Sequence, residues 1–342
     1  MSKLKRIGLS VLAFCSIVFV CALAWMYYPV INDTSGPDLA VEYANQIAQG
    51  EAKFEGDFFE YNGNKLHYVS AGEGDVVLFL HGFPSFWYSL IRPMTALKED
   101  YRVVAIDGMG KGRSDVPTEL SAYTMENMTR HIIALIDHLG VEKVHLVGHD
   151  WGNAMAFGIA QRYPERVKTL TGMSAPPQSV LLELITTNEK QKELFSYVNY
   201  FRMANPLLLR ISNVEKRIWK GSYEPLFDQG LISQEEGTLF RKAASNPKRV
   251  DAHINWYRAN LPKFDEITDE DFWPSRKARV QAPTLFIWGK DDFLITPDTI
   301  AEIASVTDNL TLLELDGVGH RPQFEKPDEV NAAIKLLISD HE

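Results

Sequence analysis

Four short apolar runs, VVLFL (76–80), RVVAI (102–106), KVHLV (143–147) and VKTLTGM (167–173), recur with helical stretches between them. A strand with one wet face alternates apolar and polar residues, whereas a strand buried on both faces reads as a continuous apolar run. Strand–helix alternation of the second kind predicts a mostly parallel sheet with helices packed on both faces. The helix after Tyr123 has the matching period. Thr124 caps it, Met128, Ile132, Leu135, Ile136 and Leu139 share one face, and Gly140 stops it. Upstream, a short amphipathic helix around Leu39–Gln49 precedes two β-rich stretches near Phe58–Tyr61 and Lys65–Ser70, joined by the turn Asn62-Gly63-Asn64.

From about Pro177 to Pro274 the strand signal vanishes and the sequence turns helical. Strands and helices resume with TLFIW (284–288), a helix near Thr299–Ser305, TLLEL (311–315) and a closing helix from Pro327. The expected organisation is an N-terminal segment at 1–31, a first core part at 32–176, a helical lid at 177–275 and a second core part at 276–342. An insertion at the C-terminal edge of such a sheet is where ligands bind. With 342 residues, 45% of them hydrophobic, the chain can bury one large core.

Residues 7–28 contain no Asp, Glu, Lys or Arg, and about 20 apolar residues suffice for a helix to cross a bilayer. Lys3, Lys5 and Arg6 precede the run, and Asp33, Asp38 and Glu42 follow it. This asymmetry predicts a single-pass anchor with a cytoplasmic N-terminus. A cleaved signal peptide is the alternative, because Ala22-Leu23-Ala24 resembles a processing site. Either reading puts the rest of the chain on the non-cytosolic side, in a periplasm, lumen or extracellular space. Cys15 and Cys21 both lie in that run, so the remainder has no thiol, and sequons begin at Asn32, Asn127 and Asn309. The net charge of −10 argues against nucleic acid as a partner.

Gly148-His149-Asp150-Trp151-Gly152 lies between strand 143–147 and the next helix. It fits the G-x-nucleophile-x-G elbow of the α/β-hydrolase fold, with aspartate where a serine usually stands. Nucleophile, acid and histidine follow in that order in this topology. His320, in Gly317-Val318-Gly319-His320, is the candidate base, and Asp292 the candidate orienting acid, with Asp291 the alternative. The backbone N–H groups of Trp151 and Phe83, the latter in His81-Gly82-Phe83-Pro84, would form an oxyanion hole. A serine that attacks a saturated carbon leaves an ether, which water does not readily open. A carboxylate leaves an ester, whose carbonyl His320-activated water can attack. The substitution therefore predicts hydrolysis at saturated carbon, without a cofactor or metal.

HGFPSFWYSL (81–90), GHDWGN (148–153), INWYRANLP (254–262), WGKDDFLITP (288–297) and GVGHRPQFEKPDEV (317–330) resemble the α/β-hydrolase-fold epoxide hydrolases, in the correct order and over nearly everything from residue 54 onward. That resemblance implies a hydrophobic epoxide and water as substrates, and two lid tyrosines that protonate the departing alkoxide. Tyr257 matches one tyrosine position. Tyr197 in SYVNYF (196–201) matches the second, with Tyr200 in reserve. The stretch Asp107-Gly108-Met109-Gly110-Lys111-Gly112-Arg113-Ser114 departs from the family, which commonly has an arginine soon after the aspartate; the loop is expected to support the elbow rather than to do chemistry. Trp87, Trp151 and Trp256 are expected to shape an apolar substrate pocket. Two alternatives remain: a haloalkane dehalogenase using the same aspartate, and a non-catalytic ligand-binding member of the fold. Phe83 and the tyrosine pair favour the epoxide.

Overall fold

The structure is a computed structural model, describing residues 14–21, 24 and 36–342. Eight strands form one sheet: β1 (Glu55–Tyr61), β2 (Asn64–Ala71), β3 (Val76–Leu80), β4 (Arg102–Ile106), β5 (Val144–His149), β6 (Val167–Met173), β7 (Thr284–Gly289) and β8 (Leu310–Leu315). Their spatial order is β1-β2-β4-β3-β5-β6-β7-β8. β1 and β2 form an antiparallel hairpin and β2 runs antiparallel to β4, whereas every pair from β4 to β8 is parallel. The α/β-hydrolase architecture anticipated from strand–helix alternation is thus present.

Burial explains the apolar runs. Val76, Leu78 and Leu80 of β3 enter one core with the helices Met125–His138 and Trp151–Arg162. Val77 and Phe79 enter the opposite core, against the helices Leu39–Ile47, Ile91–Leu97 and Pro327–Ser339. A strand sandwiched in this way reads as a continuous apolar run.

Two strand ends differ from the expected bounds. β1 starts at Glu55 rather than near Phe58, because it pairs with β2 from Glu55↔Ser70 onward, and its exposed, charged start carries no apolar signal. β5 continues through Gly148 and His149, which pair with Gly172 and Met173 of β6. That extension carries the chain to the sheet edge before the elbow turns.

Most of the run 7–28, where a membrane helix was expected, lies outside the described residues, as do Ala22, Leu23 and Asn32. Phe14–Cys21 and Ala24 are helical and exposed. Among the described residues no helix is long and apolar enough to cross a membrane, so the single-pass expectation gains no support.

The chain reverses its build order at β3, with β4 added on one side and β5 on the other. Loops leaving β3 and β5 diverge there and open a crevice. Between β6 and β7 the chain is helical, beginning with Gln178–Thr187 and including Val198–Met203 and Pro247–Asn260. Asn246 caps the last of these, accepting the N–H groups of Lys248 (3.0 Å) and Arg249 (3.4 Å). Its far end is tied to the segment between β4 and the helix Met125–His138 by Trp256 Nε1, which donates to the Met109 carbonyl (3.0 Å), and by Asn260 Nδ2, which donates to the Tyr123 carbonyl (2.8 Å). The helix therefore holds Tyr257 over the crevice.

Candidate active site

Asp150 sits at the tip of the β5–helix turn with φ 54° and ψ −127°, a conformation that L-residues rarely adopt. Its N–H donates to the Met173 carbonyl (3.0 Å), and the helix Trp151–Arg162 begins at the next residue. Gly152 allows that helix to start against the end of β3: a Cβ there would collide with the Leu80 carbonyl oxygen. The turn thus spends backbone strain to expose one carboxylate at the sheet edge.

The Phe83 N–H donates to Asp150 Oδ1 at 2.7 Å, and the Trp151 N–H also favours the ionised carboxylate. Asp150 Oδ2 lies 3.5 Å from His320 Nε2. On its other side, His320 Nδ1 stands 2.9 Å from Asp292 Oδ2, and Asp292 Oδ1 accepts the Leu294 N–H at 2.9 Å. Asp291 is exposed. The structure therefore places Asp292, not Asp291, behind the imidazole.

These groups control one another's charge. Burial opposes a charged His320, but Asp292 and Asp150 outweigh it and raise its pKa to about 9. Burial likewise opposes an ionised Asp150, yet His320 holds its pKa below the usual carboxylate value. The resting pair is a carboxylate facing an imidazolium.

A cavity over Asp150 is lined by Trp151, Leu181, Phe195, Leu294 and the two tyrosines Tyr197 and Tyr257. The Tyr197 and Tyr257 rings are 6.0 Å apart between centroids. The Tyr257 ring also meets Trp151 edge-on, 5.0 Å between centroids. Burial, with Asp150's negative charge adding to it, pushes both phenols above their ordinary pKa, so each remains a proton donor at neutral pH. Tyr200 is excluded from this cavity, its hydroxyl accepting from Arg217 Nη1 (2.8 Å) nearer the surface.

Two of the tryptophans expected in the pocket lie elsewhere. Trp87 is buried beside Phe54 and Phe86, and its backbone N–H donates to Asp107 Oδ1 at 3.1 Å. Trp256 stacks on His81 (5.6 Å between centroids) beneath the helical insertion. Their aromatic character suggested a pocket, but at these positions it packs the core.

The loop after β4 acts on the site through His81. Asp107 accepts the Arg113 N–H (2.9 Å) and contacts His67 Nδ1 (2.8 Å), which fixes the loop and brings the Gly108 N–H to His81 Nε2 at 2.9 Å. His81 Nε2 is then an acceptor, and Nδ1 carries the proton it donates to the Gly82 carbonyl at 3.0 Å. Burial keeps this imidazole neutral by lowering its pKa. That carbonyl and the Phe83 N–H belong to one planar trans peptide and point in opposite directions. Anchoring the carbonyl therefore aims the N–H at Asp150.

Other supporting residues carried no sequence signal. His149 Nε2 donates to the His320 carbonyl (2.7 Å), while Glu325 accepts the N–H groups of Gly319 (2.7 Å) and Arg321 (2.9 Å) on either side of His320. Their roles depend on loop geometry, which no residue pattern reports.

The α/β hydrolase fold family matches residues 75–327. Epoxide hydrolase 4 of Homo sapiens is 31% identical over 288 residues, covering 82% of this chain and 77% of that protein. An epoxide hydrolase of Caballeronia sordidicola is 31% identical over 302 residues, covering 80% and 90%. Among solved structures, a mutant Bacillus megaterium epoxide hydrolase complexed with its naphthyloxy-propanediol product superposes with a TM-score of 0.76 at 27% identity, over 83% of this chain and 100% of that one. With this agreement in sequence and structure, the chain belongs to the epoxide hydrolases of the α/β-hydrolase fold.

Proposed function

We propose that the chain converts hydrophobic epoxides to vicinal diols through an ester formed on Asp150. The observation that carries this reading is that one cavity brings Asp150 to two protonated phenols, Tyr257 buried and Tyr197 partly so. An aspartate alone would serve any leaving group at saturated carbon. A strained ether oxygen leaves as a basic alkoxide, and proton donors opposite the nucleophile meet that need.

In the first step Asp150 Oδ2 attacks an epoxide carbon, the carbon–oxygen bond breaks, and Tyr197 or Tyr257 supplies the proton to the departing oxygen. Oδ1 stays against the Phe83 N–H and becomes the ester carbonyl oxygen. Esterification also removes the Asp150 charge, one of the supports that hold His320 protonated. Its pKa then falls, the imidazolium proton passes through solvent to the tyrosinate left by the first step, and the neutral imidazole can take a proton from water. Water adds to the ester carbonyl, the oxyanion develops on Oδ1 between the Phe83 and Trp151 N–H groups, and as it collapses the diol leaves with the former Oδ2, which takes the proton that His320 removed from water. The diol bound to the Bacillus megaterium mutant is the product class expected here.

The test is a single turnover in water enriched in heavy oxygen. The first diol should carry the ordinary oxygen of Asp150, and the peptide containing Asp150 should gain the heavy one. A first diol that takes its new oxygen directly from solvent overturns the ester. Halide release from a chloroalkane, with no diol from any epoxide, would assign the aspartate to dehalogenation.

A further inference from the structure

The cavity over Asp150 is small: about 30 Å³. One water needs roughly 10–15 Å³ on this measure, so little beyond an epoxide ring and a short substituent fits. A second cavity of about 330 Å³ opens on the other side of Tyr197, with Phe83, Phe201, Leu209 and Ile254 in its walls. Tyr197 lines both cavities, and Phe83, whose N–H holds Asp150, lines the second. Tyr197 is thus the boundary between the space over Asp150 and the larger space beyond it.

The walls of that space are mostly apolar, but the rim is not. Among the described residues that line it, Arg217 alone is charged. Its Nη1 donates to the Tyr200 hydroxyl at 2.8 Å, and the guanidinium lies over the Tyr200 ring, 4.8 Å from the centroid. Tyr200 thereby steadies one edge of the fork while Nε and Nη2 remain as donors. The neighbouring Glu215 is engaged by Arg241 Nη1 at 3.0 Å, and among the described residues no carboxylate lies within ion-pair distance of Arg217. An apolar cavity with a proton-donating phenol in its wall and a cation at its rim matches a molecule with an epoxide at one end and an anion at the other.

We propose that Arg217 is a specificity-determining residue: it pairs with the carboxylate of an aliphatic ω-epoxy acid whose chain fills the outer cavity. The assignment rests on the epoxide reading above and adds to it the polarity and direction of the substrate. Because Arg217 is exposed, its contribution is that of a partly solvated ion pair, which corresponds to about fivefold in affinity and weakens with salt.

The experiment compares the ω-epoxide of undecanoic acid with its primary amide, which has the same length and no charge. In the full chain, kcat/KM should favour the acid by about fivefold at low ionic strength, mainly through KM, and the preference should shrink as salt is added. In Arg217→Gln the acid and amide should become equal, and Arg217→Lys should recover part of the difference. Equal rates for the two substrates in the native chain, or a preference for the acid that survives Arg217→Gln, would overturn the assignment. A second measurement separates it from the reaction itself: binding of acid and amide to Asp150→Asn, followed by tryptophan fluorescence. If no epoxide is turned over yet the acid binds more tightly and Arg217→Gln abolishes the difference, the epoxide reaction fails and the carboxylate subsite stands. If both compounds are turned over with no difference in rate or binding, only the subsite fails.

Discussion

The backbone N–H of Phe83 donates to Asp150 Oδ1 at 2.7 Å. In the proposed ester mechanism, the oxygen that carries negative charge during hydrolysis is the one held by this donor, and the other oxygen faces His320. Little reorganisation is required when that charge appears, which is the condition under which fixed donors lower a barrier most. The donor is itself aimed through the Gly82 carbonyl, which accepts from His81 Nδ1 and from the Ser85 N–H, each at 3.0 Å.

His81→Ala should therefore slow the reaction without removing any group that touches substrate. The loss expected is about 10- to 100-fold in kcat, below or near that for deleting an oxyanion donor outright. Single-turnover kinetics should show ester hydrolysis slowed more than ester formation. An equal slowing of both steps would reduce His81 to a packing residue.

His320→Gln should divide the reaction. Asp150 keeps its Phe83 and Trp151 donors and can still open an epoxide, but no base remains to activate water. Mass spectrometry of the Asp150 peptide after exposure to epoxide should show one added substrate mass that persists for hours. Rapid diol formation by this variant would remove His320 from the hydrolytic step.

Tyr197→Phe and Tyr257→Phe test the proton donors. Both phenols reach the same cavity, so one can partly replace the other, and each single change should cost about 10- to 100-fold in the rate of ester formation. The double variant should lose more than either single variant, and Tyr200→Phe should have little effect on that step. A double variant as active as the native chain would leave the alkoxide without its assigned acid.

Much of this arrangement was legible in the sequence, because strands buried on both faces and an elbow between strand and helix leave local patterns. Asp150, Asp292 and His320 each follow directly on a strand of the parallel sheet or its loop, so order along the chain predicts their meeting at one edge. Trp87 and Trp256 show the limit. An aromatic side chain reads the same whether it lines a cavity or fills a core, and only three-dimensional packing placed both outside the cavity. His149, Glu325 and the role of His81 were hidden for a related reason: each acts on a backbone group of a loop, and loop geometry has no period.

Stability should peak near neutral pH, because two sets of buried histidines pull in opposite directions. His67, which contacts Asp107 and Asp38, and His320 are both raised from 6.5 to about 9, their carboxylates overcoming the effect of burial. Between those values the folded chain binds more protons than the unfolded one, so their stabilisation is complete below about 6.5 and is lost as the pH rises through about 9. His131 and His145 are lowered to about 4, and His149 to about 3, chiefly by burial. Here the unfolded chain binds the extra protons, and stability is lost as the pH falls from about 6.5 toward 4 and then 3. The upper part of that acid limb lies above the usual carboxylate range of roughly 4, which separates the histidines from ordinary acid denaturation. Thermal unfolding across this range should therefore show Tm falling on both sides of a maximum near neutrality. His131→Gln should flatten the acid limb, and His320→Gln the alkaline one. A Tm that is level from neutrality to pH 9, or limbs that neither substitution alters, would show that these imidazoles do not set the pH range of the fold.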